Sequence, residues 1–241
     1  MRINVHAGHN PDGKVGCGAI GFIKESTENR NVKNEVIRLL KLLGHTVYDC
    51  TVENGTSASN VLTNIVKKCN AHEVDLDISI HFNAGANDNV GNGKTTGTEV
   101  YVYNANSKAK DEAERICKAI SELGFKNRGV KYSQSLYVLR NTKAPALLIE
   151  VCFVDDKDDV ALYDCKDVAQ AIVYGITGQK CEEPTNNEVD EETTLKGAET
   201  SVGDSSCLYR VQVGAYSKKE NSVAMQKKLK EAGFDACIVK A

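Results

Sequence analysis

The chain has 241 residues, 41% hydrophobic and 26% charged, which fits a soluble globular protein with one substantial core and room for a smaller module. Thirty basic residues against 33 acidic ones leave a formal charge of −3, which argues against nucleic acid as the main partner. The nine cysteines lie no closer than 13 residues apart, which excludes CxxC zinc, redox and haem motifs and reads as mostly reduced thiols.

In chain order, Arg2–Ala7 reads as a strand, and Val32, Val36, Leu39, Leu40 and Leu43 mark a helix from about Glu25 to Leu43, stopped by Gly44. His45–Thr51 reads as a strand, Ala58–Cys69 as a helix with Val61, Ile65 and Val66 inward, and Leu76–His81 as a third strand. A Gly/Asn-rich loop over Gly85–Gly97 leads to a strand over Thr98–Tyr103 and a helix from about Ser107 to Leu123. Ala146–Val154 is a nearly unbroken apolar run, the mark of a central strand buried on both faces, and a last helix covers about Val168–Gly178. This alternation predicts an α/β fold with a mainly parallel sheet flanked by helices, and a site off the carboxyl ends of its strands.

Charge then divides the chain. Residues 1–180 carry 22 basic and 22 acidic side chains; residues 181–206 carry eight acids and one lysine; residues 207–241 carry seven basic and three acidic side chains. The middle zone has too few large apolar residues to offset chain entropy and reads as an acidic linker. The basic tail reads as strand, turn, helix, strand, one βαβ unit too small to be stable alone. The sequence opens Met-Arg-Ile-Asn-Val-His with no apolar leader, and no stretch approaches the roughly 18 apolar residues of a membrane span. The expectation is therefore synthesis in the cytoplasm without a signal peptide, and no membrane partner.

Ionisable residues interrupt the pattern where a site is expected. His9 follows the first strand, His81 ends the third, Glu25 opens the first long helix, and Glu150 stands alone between Ile149 and Val151. A carboxylate in an apolar run is costly without a cation or hydrogen bonds. Two imidazoles and a carboxylate, with a fourth position open to water, make a catalytic zinc set, and a second carboxylate could serve as general base. His6 is a rival to His9, but the two cannot easily face one metal from an extended strand end. Glu28 is a rival to Glu25 on the same helical face.

The segments Gly8-His9, Glu25-x-x-x-Asn29, Ser79-Ile80-His81-Phe82-Asn83-Ala84 and Leu148-Ile149-Glu150-Val151-Cys152-Phe153 occur in the order of a known family. Over about residues 1–178 the chain resembles the zinc-dependent N-acetylmuramoyl-L-alanine amidases, and Leu136–Arg140 fits that pattern as well. The resemblance implies one zinc ion held by His9, Glu25 and His81, with Glu150 catalytic and Asn83 and Arg140 binding substrate. At the first motif this chain has His6-Ala7-Gly8-His9-Asn10-Pro11 where many members have Asp-x-Gly-His-Gly-Gly. The short Gly85–Gly97 loop implies an open site, and the whole looks like a phage or prophage endolysin acting on the wall after release.

In the tail, Tyr209–Ser217 followed by Leu229-x-x-x-Gly233-Phe234 resembles the opening half of a SPOR domain, a family that binds peptidoglycan. A half-domain implies either a truncation or pairing of two tails in a homodimer. The expected activity is hydrolysis of the amide between N-acetylmuramic acid and L-alanine. A zinc peptidase acting on stem peptides and a non-catalytic wall-binding protein are the competing readings.

Overall fold

The computed structural model describes residues 1–181, Val223 and Met225–Lys227. The chain divides into two compact units, Met1–Asn187 and Glu188–Ala241. Of the second unit the described residues are helical. Apart from Cys181, the expected linker over 181–206 and the expected tail strands and tail-to-tail pairing of 207–241 lie outside the described residues.

In the first unit six strands form one sheet: β1 (Arg2–Ala7), β2 (Thr46–Asp49), β3 (Leu76–Asn83), β4 (Thr98–Val102), β5 (Asn127–Tyr132) and β6 (Ala146–Phe153). Their order is β2-β1-β3-β6-β4-β5, and every neighbouring pair is parallel except β4 with β6. The helices are α1 (Glu25–Leu42), α2 (Ala58–Cys69), α3 (Lys110–Ser121), α4 (Tyr137–Asn141), α5 (Lys157–Leu162) and α6 (Cys165–Thr177). The mainly parallel α/β architecture is the one expected.

The period of two along each strand sorts side chains to opposite faces. On one face Ile3, Val5, Ile78, Ile80, Phe82, Val100, Val102, Leu147, Ile149 and Val151 pack under α1, α3 and α6. Each such buried aliphatic side chain contributes roughly 1.5–3 kcal/mol. On the other face Ala146 and Leu148 meet α2 and α4. Asn4, His6, Asp77, Ser79, His81 and Glu99 occupy the alternate positions of β1, β3 and β4 and are buried.

Local chemistry fixes the helix ends. Ser57, Asp156 and Asp164 cap α2, α5 and α6, each accepting a backbone N–H of the first turn. Gly178, at φ 71°, closes α6 in the left-handed conformation. α1 has Lys24 at its N-cap and no side-chain cap, because an ammonium group has no acceptor to offer.

Four elements differ from expectation. β3 runs on to Asn83, so His81 sits within the ladder rather than at its end. β5, with the sequence Asn-Arg-Gly-Val-Lys-Tyr, is a half-buried edge strand with no apolar alternation to announce it. α4 and α5 span only five and six residues, too short to show a period. All seven described cysteines are free. Among the described residues no helix is long and apolar enough to cross a membrane.

Candidate metal centre

The centre begins where β1 runs out. Gly8 N–H donates to Ile80 O at 3.0 Å, adding one rung to the β1–β3 ladder. A Cβ at Gly8 would lie 1.9 Å from His81 Cε1, so the imidazole rests against a backbone that only glycine leaves bare. His9 then turns to φ 65°, a left-handed conformation that costs a residue other than glycine about 1–2 kcal/mol. Helix α1 holds it there. Asn29 Nδ2 donates to Gly8 O at 2.8 Å, and Arg30 Nη2 donates to His9 O at 3.0 Å.

Glu25, in the first turn of α1, turns its carboxylate inward. Its Oε1 lies 3.0 Å from His81 Nδ1 and 3.2 Å from His9 Nε2, and accepts from Phe82 N–H at 3.2 Å. Its Oε2 accepts from Ala19 N–H at 2.8 Å. A Cβ on Gly18 would fall 2.4 Å from that oxygen, so the loop also approaches through a glycine. Burial opposes the charge on Glu25, but hydrogen bonds from His81 and His9 prevail and hold its pKa well below the usual carboxylate range. Burial lowers the His81 pKa, against the pull of Glu25, and favours the neutral imidazole that a metal requires.

His9, Glu25 and His81 each offer one ligand atom, all within 4.8 Å of one another. Their donor set, two nitrogens and one oxygen, is that of a zinc site with an open position. The rivals stand apart. The Glu28 carboxylate accepts from Tyr163 OH at 3.0 Å and Asn31 Nδ2 at 3.1 Å. His6 is buried behind the site, its Nδ1 3.4 Å from Ser79 Oγ, which in turn lies 2.9 Å from His81 Nε2. Burial, then the charge of His81, pushes the His6 pKa down to about 3.

Glu150 stands opposite His81 in the β3–β6 register. The residue is half-buried, but its Oε2 is itself shielded from solvent and has no hydrogen-bond partner. Burial, then the charges of Glu25 and Glu99, raises its pKa well above the usual carboxylate range. An orphaned carboxylate oxygen beside two imidazoles and a carboxylate fits a site that receives a cation and a polar substrate.

The other residues singled out in the sequence fall in two places. Asn83 Nδ2 donates to Glu99 Oε1 at 2.9 Å, one strand from Glu150. Arg140 is exposed on α4, and no side-chain contact joins it to the histidine cluster among the described residues. Glu99 itself escaped the sequence reading, although the signal was the one that drew attention to Glu150: a charge between Thr98 and Val100 in an apolar strand. It is buried, and Arg128 Nε donates to its Oε2 at 2.8 Å while Tyr101 OH donates to its Oε1 at 3.0 Å.

A second acidic group does different work. Asp155 accepts from the N–H groups of Gly85, Ala86 and Asn87, and Asp158 from those of Asn92, Gly93 and Lys94. Asp156 accepts from Thr96 N–H and Asp159 from Gly97 N–H. The loop between β3 and β4 is thereby laced to the end of β6.

Residues 3–178 match the N-acetylmuramoyl-L-alanine amidase family, and residues 192–240 match the SPOR domain, starting inside the segment read as linker. An uncharacterized protein of Clostridium perfringens is 36% identical over 80% of this chain and 56% of its own length. The endolysin of Bacillus phage SPP1 is 32% identical over 70% of this chain and 62% of its own. The catalytic domain of CD27L endolysin, targeting Clostridia Difficile, superposes with a TM-score of 0.67 at 28% identity, covering 76% of this chain and 99% of that one. The chain spans about half the length of the curated relatives it matches.

Proposed function

This chain belongs to the N-acetylmuramoyl-L-alanine amidase family, and from that membership we propose that it hydrolyses the amide between the lactyl group of N-acetylmuramic acid and the L-alanine of the stem peptide. The observation that carries the reading is the juxtaposition of the His9–Glu25–His81 cluster with the shielded, unpartnered Oε2 of Glu150 on the next strand. His9, Glu25 and His81 would hold a zinc ion, which supplies Lewis acidity to the scissile carbonyl and lowers the pKa of water when bound. Glu25 contributes the negative charge. Ala19 and Phe82 N–H fix its carboxylate, while Ser79 orients His81 from behind.

Glu150 acts as general base. Its free Oε2 takes a proton from the attacking water and returns it to the departing amine nitrogen. Asn83, beside Glu99, and Arg140, exposed on α4, are assigned to substrate contact. The SPOR segment over 192–240 would hold the enzyme on glycan strands, in keeping with a lytic role at the wall.

The test is direct. Purified wild-type protein should contain about one zinc ion per catalytic domain, reduce the turbidity of cell walls, expose new N-terminal alanine and leave the glycan intact. Glu150→Gln should keep zinc and lose the activity. Lysis by the Glu150→Gln protein, or shortened stem peptides in place of free alanine termini, would overturn the reading.

A further inference from the structure

A row of side chains runs across the sheet from the metal cluster toward the β5 edge. His81 on β3 is opposite Glu150 on β6, and Glu150 is opposite Glu99 on β4. Register partners share a face, and strands lie about 4.8 Å apart. The next step breaks the ladder. Thr98 pairs with Asn127 and Val100 with Val130, so both Arg128 and Gly129 stand opposite Glu99. Gly129 takes φ 77°, and its N–H donates to Asn127 Oδ1 at 2.8 Å. A bulge at a sheet edge re-aims a side chain; here it delivers Arg128 to the face that carries Glu150.

Arg128 is locked on two sides. Its Nε donates to the buried Glu99 Oε2 at 2.8 Å, and its Cζ lies 5.0 Å over the ring of Phe153. Asn83 and Tyr101 hold the other oxygen of Glu99, so the anchor cannot swing. Arginine and carboxylate frequently meet through a two-armed fork. This one gives Glu99 its Nε alone, and among the described residues neither Nη makes a hydrogen bond. The forked end of an oriented, partly exposed guanidinium is left for something else.

Resting on the amidase reading, we infer that Arg128 is a specificity-determining residue that receives a carboxylate of the leaving stem peptide. Two strand spacings, about 10 Å, separate β5 from β6. An extended peptide advances about 3.5 Å per residue, so the second residue beyond the scissile bond lies about 7 Å out, and the arginine side chain spans the remainder. The Nη fork meets a carboxylate in two parallel hydrogen bonds and meets a carboxamide poorly, since the amide nitrogen offers no acceptor.

Two muramoyl dipeptides test this, identical except that the second residue carries a free α-carboxylate or its carboxamide. The zinc-loaded full chain should cleave the acid with a kcat/KM about tenfold or more above that of the amide. Arg128→Gln should lower the rate on the acid by that factor and leave the amide within about twofold, bringing the ratio near one. Arg128→Lys, which keeps the charge and loses the fork, should retain part of the preference; it carries the same test should Arg128→Gln fail to fold. Equal losses on both substrates with the preference unchanged would make Arg128 a structural partner of Glu99 only. Wild-type enzyme that cleaves both equally would overturn the inference and leave the amidase reading intact, whereas cleavage of neither would overturn both.

Discussion

The two faces of the sheet are built from the same strands and alternate residue by residue, yet they do opposite things. Toward α1, α3 and α6 the strands present mainly aliphatic and aromatic side chains, with Thr98 and Asp49 the polar exceptions. Toward α2 and α4 they present Asn4, His6, Asp77, Ser79, His81, Glu150 and Glu99. The first face supplies the burial energy that lets the second hold a carboxylate without a partner. A parallel sheet covered on both sides thus need not be apolar on both sides, provided the polar side is hydrogen-bonded nearly throughout.

Adjacent residues of β6 break that comparison most sharply. Glu150→Gln should cost about 10²–10⁴ in kcat while the fold persists, because general base catalysis is worth that much. Wall digestion together with a melting curve checks both halves. Gly8→Ala comes next. With a Cβ 1.9 Å from the His81 ring, the imidazole must move, so zinc content should fall with activity, as atomic absorption of the dialysed protein would show.

Ile149→Ala, one residue from Glu150 on the opposite face, should instead cost about 2–5 kcal/mol of stability. The rate per folded molecule should stay near wild type, and denaturant unfolding paired with active-site titration separates the two quantities.

Acidity sharpens the contrast inside the polar face. Glu150 has a raised pKa, so its contribution to stability is fully present below the ordinary glutamate value of about 4.3 and is lost as pH rises through its folded value. Glu25 has a depressed pKa, and its contribution is present above about 4.3 and lost as pH falls below it. In chelator-treated protein, Glu150→Gln should therefore melt higher than wild type at neutral pH, with the gap closing toward pH 4. Equal gaps at both values would contradict the assignment. The smallest effect belongs to Asp158→Asn, which weakens the three amide contacts of Asn92, Gly93 and Lys94 and should cost about 1 kcal/mol with kcat unchanged.

Much of this was legible in the amino-acid order, for reasons that differ element by element. The limits of β1 and α2 follow from periodicity and, for α2, from the Ser57 cap. Glu150 announces itself as a lone charge in an apolar run. Glu25 and Glu28 share a helical face, so spacing leaves them equivalent; the fold separates them by turning Glu25 to His9 and His81 and Glu28 to the distant Tyr163, whose OH donates to it. Arg128 was illegible because its strand lies at an edge, half buried and interrupted by Gly129, and because its partner Glu99 comes from another strand.

The lacing of the Gly85–Gly97 loop has a consequence for variation. Asp155, Asp156, Asp158 and Asp159 grip backbone N–H groups, which every residue but proline supplies. The course of the loop is thus written largely in the strand end that follows β6, with Asn87, Asp88 and Thr96 adding side-chain bonds of their own. Asn89, Val90 and Lys94 are open to exchange without redrawing the loop, which makes this rim a place where the sequence can vary while the His9–Glu25–His81 cluster stays untouched.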